Sequence, residues 1–140
     1  MKEVSIYIQT NFKGLKKSDG KAIFILEYKT DAGTCTKTKE IQIKDSTVNN
    51  AEIESMIQAV SALKEKCKLL IHTDNKYIYG AFENKWIDTW RANNYKSAKG
   101  KEVANRENWE KLLELLNGHE VTICFNQDHE YKSWMKTQLK

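Results

Sequence analysis

The chain has 140 residues, enough for one domain with a sizeable core. Hydrophobic residues make up 40% and charged residues 30%, a balance that fits a soluble globular protein and excludes fibrous and low-complexity classes. The formal net charge of +4 is a mild basic bias and only a weak pointer to nucleic acid, and no apolar run approaches the roughly 18 residues of a membrane span.

In chain order, VSIYIQT (4–10) alternates strictly, with Val4, Ile6 and Ile8 on one face and Tyr7 and Gln9 on the other, which predicts a strand. This alternating start predicts no leader peptide. A polar, glycine-bearing turn, FKGLKKSDGK, leads to a second strand over 22–30 and, after DAG, to a third over 34–43. Three strands joined by short turns read as an antiparallel meander. The period then changes. Ile53, Met56, Ile57, Val60 and Leu63 recur at helical spacing, with Asn49 or Asn50 as the expected cap and Glu52 and Glu54 expected in the first turn.

CKLLIHT (67–73) reads as a short buried strand, reached by a parallel crossover. DNKYIYGAF and ENKWIDTW read as two short helices, RANNYKSAKGKEVAN as a basic loop, and RENWEKLLELL as an amphipathic helix with Gly118 just beyond it. EVTICFN (120–126) is the fifth strand. DHEYKSWMKTQLK closes as a helix, with Asp128 as a cap and Tyr131, Trp134 and Met135 inward. The expected fold is α/β: a single domain over 1–140 with a five-stranded mixed sheet and helices on both faces. Cys35, Cys67 and Cys124 are odd in number and widely spaced, which suits a reducing cytoplasm and neither a disulfide framework nor a zinc site.

Five stretches in order carry a family resemblance: IYIQT in the first strand, TVNNAE at the first helix, HTDNKYI at the fourth strand, WIDTW, and NYKSAKGKEVANRENW. The chain resembles the type 1 ribonuclease H family over nearly its whole length. That resemblance implies the ribonuclease H fold and hydrolysis of the RNA strand of an RNA/DNA hybrid with two divalent ions, Mg²⁺ or Mn²⁺, held by four carboxylates.

Carried over residue by residue, the set is incomplete. Glu52 matches the helix glutamate and Asp74 the carboxylate at the tip of the fourth strand, so these two are the candidate metal ligands. Gln9 stands where the family has a metal-bridging aspartate. A neutral amide supplies one oxygen donor and no charge. Asp128 or Glu130 is the candidate for the fourth carboxylate, and His129 for the histidine of the loop before the last helix. For nucleic acid, Thr47, Asn49 and Asn105 match backbone-contacting positions. The loop after Trp90 adds Arg91, Lys96, Lys99, Lys101 and Arg106 as cations, with Trp86, Trp90 and Tyr95 as aromatic surface.

Plainer roles stand beside these. Asp74 also suits a helix cap, Trp109 suits the core, His72 suits a structural place in a strand, and loop lysines suit solvent. The reading is a monomeric protein that binds RNA/DNA hybrid or a related duplex, with cleavage lost or impaired through Gln9. One alternative is an active two-metal endoribonuclease using Glu52, Asp74 and Asp128 or Glu130. Another is a protein-interaction scaffold.

Overall fold

The computed structural model describes residues 1–14, 16–96 and 100–140. The elements run β1 (Lys2–Thr10), β2 (Ser18–Thr30), β3 (Gly33–Ser46), α1 (Val48–Ser61), β4 (Cys67–Thr73), α2 (Lys76–Glu83), α3 (Trp86–Ala92), α4 (Arg106–Leu116), β5 (Glu120–Phe125) and α5 (Lys132–Gln138). The strands form one mixed sheet in the order β3-β2-β1-β4-β5. β1–β2 and β2–β3 are antiparallel, while β1–β4 and β4–β5 are parallel. β1 is therefore the hinge of the topology, with the meander on one side and the crossover strands on the other.

Strand alternation sorts the two faces. Val4, Ile6 and Ile8 of β1, Leu69 and Ile71 of β4, and Ala22, Phe24 and Leu26 of β2 join the main core, which α1 and α4 cover. Ile53, Met56, Trp109 and Leu112 are fully buried there, so Trp109 is a core residue. The opposite face carries Tyr7, Ile23 and Ile25 and is covered by α5 through Met135 and Leu139.

Several boundaries differ from the sequence expectation. β2 and β3 extend past 22 and 43 because Ser18 pairs with Ser46 across an irregularity near Gly20, where Asp19 Oδ1 accepts from the Asp45 amide at 2.8 Å. Those residues pair by backbone and carry no apolar alternation to reveal it. α1 is capped by Thr47, whose hydroxyl oxygen accepts from the Asn50 amide at 3.2 Å, and neither Asn49 nor Asn50 serves. Its first turn holds no acidic residue, which places Glu52 one turn deeper, and buried.

The cap of α2 is Asn75, whose Oδ1 accepts from Ile78 N at 3.1 Å, so Asp74 is not a helix cap. α5 begins only at Lys132 and has no side-chain cap, so Asp128 is not one either. Trp134 is 47% exposed rather than inward. The buried stripe of α5 runs through Met135 and Leu139, four residues apart, and Trp134 lies about 100° off it. No helix among the described residues is long and apolar enough to cross a membrane, and Cys35, Cys67 and Cys124 are free thiols.

Candidate functional site

Parallel pairing of β1 and β4 sets Tyr7 opposite His72, so two residues further on Gln9 and Asp74 emerge side by side at the carboxyl ends of adjacent strands. Strand ends of this kind are where open α/β sheets bind ligands. Gln9 is buried, and its Nε2 donates to Asp74 Oδ2 at 3.0 Å. Gln9 shares the face of Tyr7, the face α5 covers. From α5, Lys132 Nζ donates to Asp74 Oδ1 at 3.1 Å. Both oxygens of the carboxylate thus have N–H donors from this chain. Burial by itself raises Asp74, but the Gln9 amide and the Lys132 ammonium, helped by the charge of Lys136, outweigh it and hold the carboxyl below its ordinary value.

Glu52 lies on the other side of the strand tip, buried in α1. The Thr73 hydroxyl donates to its Oε1, and the same hydroxyl oxygen accepts from the Asn75 amide at 3.0 Å. Burial pushes the Glu52 carboxyl up to about 7; the Thr73 bond opposes this and the charge of Asp74 adds to it. Glu52 and Asp74, with Gln9, Asn49, Lys76 and Tyr77, line one open groove of about 440 Å³ between β1, α1 and the start of α2.

The other candidates divide. His129 packs against Tyr7 in a tilted arrangement, with ring centroids 4.4 Å apart, and His72 stacks on the same ring at 4.4 Å, which makes His72 part of the packing under α5. Burial lowers both imidazoles from their ordinary value. Asp128 and Glu130 are exposed on the segment before α5, and among the described residues no hydrogen bond joins either to Glu52 or Asp74.

Of the nucleic-acid candidates, Asn49 lines the groove at the head of α1, and Thr47 is the residue that caps that helix. Asn49 Oδ1 accepts from Asn75 Nδ2 at 3.0 Å. Asn105 begins α4 in the left-handed region, at φ 61°, and makes no side-chain cap. Trp86 is 40% exposed and Trp90 packs on Trp109, at 5.3 Å between centroids. Arg91 and Lys96 are exposed, and Lys96 pairs by backbone with Glu102. Arg106 is paired with Glu102 and Glu110 and lies over the Tyr95 ring, so it already has anionic partners within this chain. Lys99 lies outside the described residues.

The sequence reading missed four residues of this site: Thr73, Asn75, Lys76 and Lys132. Lys132 shares one helical stripe with the buried Met135 and Leu139, which places it toward the sheet, but nothing in that stripe names Asp74 as its partner.

A pair of hard divalent cations wants a cluster of oxygen donors, dominated by carboxylates. Here the tip of the sheet offers two carboxylates, one of them bound by an amide N–H and an ammonium. Among the described residues no three His, Cys, Asp or Glu side chains gather to hold a metal ion. This donor set does not fit the family's two-metal centre.

An RNase H family model matches residues 1–133. The ribonuclease H of Clostridium botulinum strain Hall is 39% identical over 100 residues, covering 68% of this chain and 67% of that protein. The ribonuclease H of Francisella tularensis subsp. novicida is 43% identical over 86 residues, covering 61% of this chain and 56% of that one. Among solved structures, LC9-RNase H1, described as a type 1 RNase H with the type 2 active-site motif, superposes with a TM-score of 0.81 at 19% identity, over 99% of this chain and 70% of that chain. A foamy viral protease-reverse transcriptase in complex with RNA/DNA hybrid matches with a TM-score of 0.69 at 16% identity, over 99% of this chain and 19% of that chain. The family match over nearly the full length, the curated relatives and the shared strand order agree, and this chain belongs to the ribonuclease H family.

Proposed function

We propose that this protein binds RNA/DNA hybrid, or a closely related duplex, across the groove between β1, α1 and α2, and that it cleaves the RNA strand weakly or not at all. The observation that carries this reading is the hydrogen bond from Gln9 Nε2 to Asp74 Oδ2 at 3.0 Å. A carboxylate at position 9 would add a charge for metal to bridge. The amide instead spends an N–H on the neighbouring carboxylate and adds none.

Binding needs no metal. The Thr47 hydroxyl accepts from the helix amide, which leaves its O–H as a donor for a phosphate or 2′-OH. Asn75 holds Asn49 by its Oδ1, which orients the Asn49 Nδ2 as a donor for an incoming acceptor. Lys76 lines the same groove and supplies a cation. In this reading residues 1–140 act as one domain and as a monomer, and the three free thiols suit a cytoplasmic setting.

The test is a labelled RNA/DNA hybrid, first in chelator and then in Mg²⁺ or Mn²⁺. Hybrid should bind in chelator, more weakly as salt rises, and remain intact with either ion. Efficient cleavage by the unaltered chain, abolished by Asp74→Asn, would sink the impaired-nuclease reading. Absence of any salt-dependent binding would remove the nucleic-acid reading altogether.

A further inference from the structure

The carboxylate of Asp74 is met on one side by this chain's own cationic helix. Lys132 Nζ sits 3.1 Å from Oδ1, and the Lys132 side chain is only 15% exposed. Lys136 stands one turn further along the same helix, and its charge also acts on Asp74. The ammonium is held in place rather than resting there. Met135 and Leu139 pin the helix beneath Tyr7, Ile23 and Ile25. The Tyr131 hydroxyl donates to Glu27, and Asn11 Nδ2 donates to the Leu139 carbonyl at 3.1 Å. A divalent cation at Asp74 would compete with both N–H donors for the carboxylate and would sit beside the Lys132 ammonium, whose charge repels it.

We propose that the Lys132 ammonium is the resident counter-cation of Asp74, taking the place of a divalent ion, so that the groove keeps its charge balance without metal and rejects Mg²⁺ and Mn²⁺. This deepens the impaired-nuclease reading and rests on it, but not on hybrid binding. The substitution at position 9 removes a charge, and the lysine from α5 supplies an opposite one. Together they convert a metal-collecting strand tip into an internally neutralised pair. The groove would then have the same affinity for a polyanion with or without divalent ions, once ionic strength is matched.

The experiment uses the full chain, stripped with chelator and without nucleic acid. Thermal unfolding and the electron paramagnetic resonance signal of free Mn²⁺ are followed through a Mn²⁺ titration, with KCl matched for ionic strength. The unaltered chain should show no saturable Mn²⁺ uptake and no Tm shift beyond the KCl control. A Gln9→Asp, Lys132→Asp double variant should take up Mn²⁺ and gain Tm with each further increase of the ion.

Lys132→Met is then measured alone and in an Asp74→Asn background. It should lower Tm by a few degrees in the first case and leave it unmoved in the second, because the lost contact is with Asp74. Saturable Mn²⁺ binding by the unaltered chain overturns the proposal. So does an equal Lys132→Met loss in both backgrounds, or a folded double variant that takes no Mn²⁺. Failure of hybrid binding changes none of these readouts, so the two readings fail separately.

Discussion

The Thr73 hydroxyl donates to the buried carboxylate of Glu52 and ties α1 to the tip of β4. Its oxygen also accepts from Asn75 N at 3.0 Å, at the residue that caps α2. One side chain therefore joins three elements at the groove.

Thr73→Val preserves shape and removes both bonds. It leaves Glu52 buried beside a methyl group, and removing a partner from a buried acceptor costs about 1–3 kcal/mol. Urea unfolding should show that loss as a lower midpoint with an unchanged slope. Thr73→Ser, which keeps the hydroxyl, should recover most of it.

Glu52 also sets a pH dependence. Its folded value of about 7 lies above the ordinary carboxyl value of 4.5, so the folded state binds the proton more tightly than the unfolded chain does. The raised value makes the contribution to stability largest in acid and loses it as pH rises through the window from 4.5 to about 7. Glu52→Gln removes that loss. In chelator, the variant should exceed the unaltered chain by on the order of 3 kcal/mol at about pH 8, with the gap closing near pH 4. Urea midpoints at the two pH values check it. No gain at the higher pH would mean that Glu52 is comfortably solvated as a carboxylate.

His119 gives the opposite slope. The Cys67 amide donates to His119 Nδ1 at 3.0 Å, so the ring accepts there and loses the bond when that nitrogen is protonated. Burial, and then the charge of Lys66, hold the imidazole below its ordinary value. A depressed value means stability is present above the unfolded pKa of about 6.5 and is lost as pH falls through the folded one. The loss should appear as a urea midpoint that falls on the acid side of neutrality. His119→Asn keeps an acceptor that does not titrate, and it should flatten this part of the profile in parallel denaturation curves.

Arg91 and Lys96 are exposed cations on the loop side of α3, whereas Arg106 is occupied by Glu102 and Glu110. Replacing Arg91 or Lys96 with Ala should weaken hybrid binding and lower the slope of log affinity against log salt by about one phosphate contact. Arg106→Ala should leave that slope nearly unchanged. Slopes for all three variants equal to that of the unaltered chain would show that this loop does not meet the duplex.

The sequence made the fold legible where burial imposed a period. The alternation of Val4, Ile6 and Ile8, the stripe of Ile53, Met56, Ile57 and Val60, and the run 67–73 all match the elements observed. Boundaries slipped where backbone pairing or capping decided the matter, as at Ser18–Ser46 and at Thr47. The groove was half legible. Motif spacing pointed to Gln9, Glu52 and Asp74, which line it together. The partner that closes on Asp74 was not seen, because Lys132 comes from a helix 58 positions away and a lysine on an apolar stripe reads as a snorkelling surface residue.

β1 lies in the middle of the sheet, between a hairpin partner next to it in sequence and a parallel partner that arrives only after α1. The meander of β1 to β3 can therefore form early, from local contacts. The pairing of β1 with β4 must wait for a long loop to close, as must the hydrogen bond of Gln9 with Asp74, which spans 65 positions. Until that closure, β1 is an open edge bearing Val4, Ile6 and Ile8, a ready template for another chain. Refolding yield should accordingly fall with protein concentration, and the groove should be among the last parts of the molecule to gain protection during refolding.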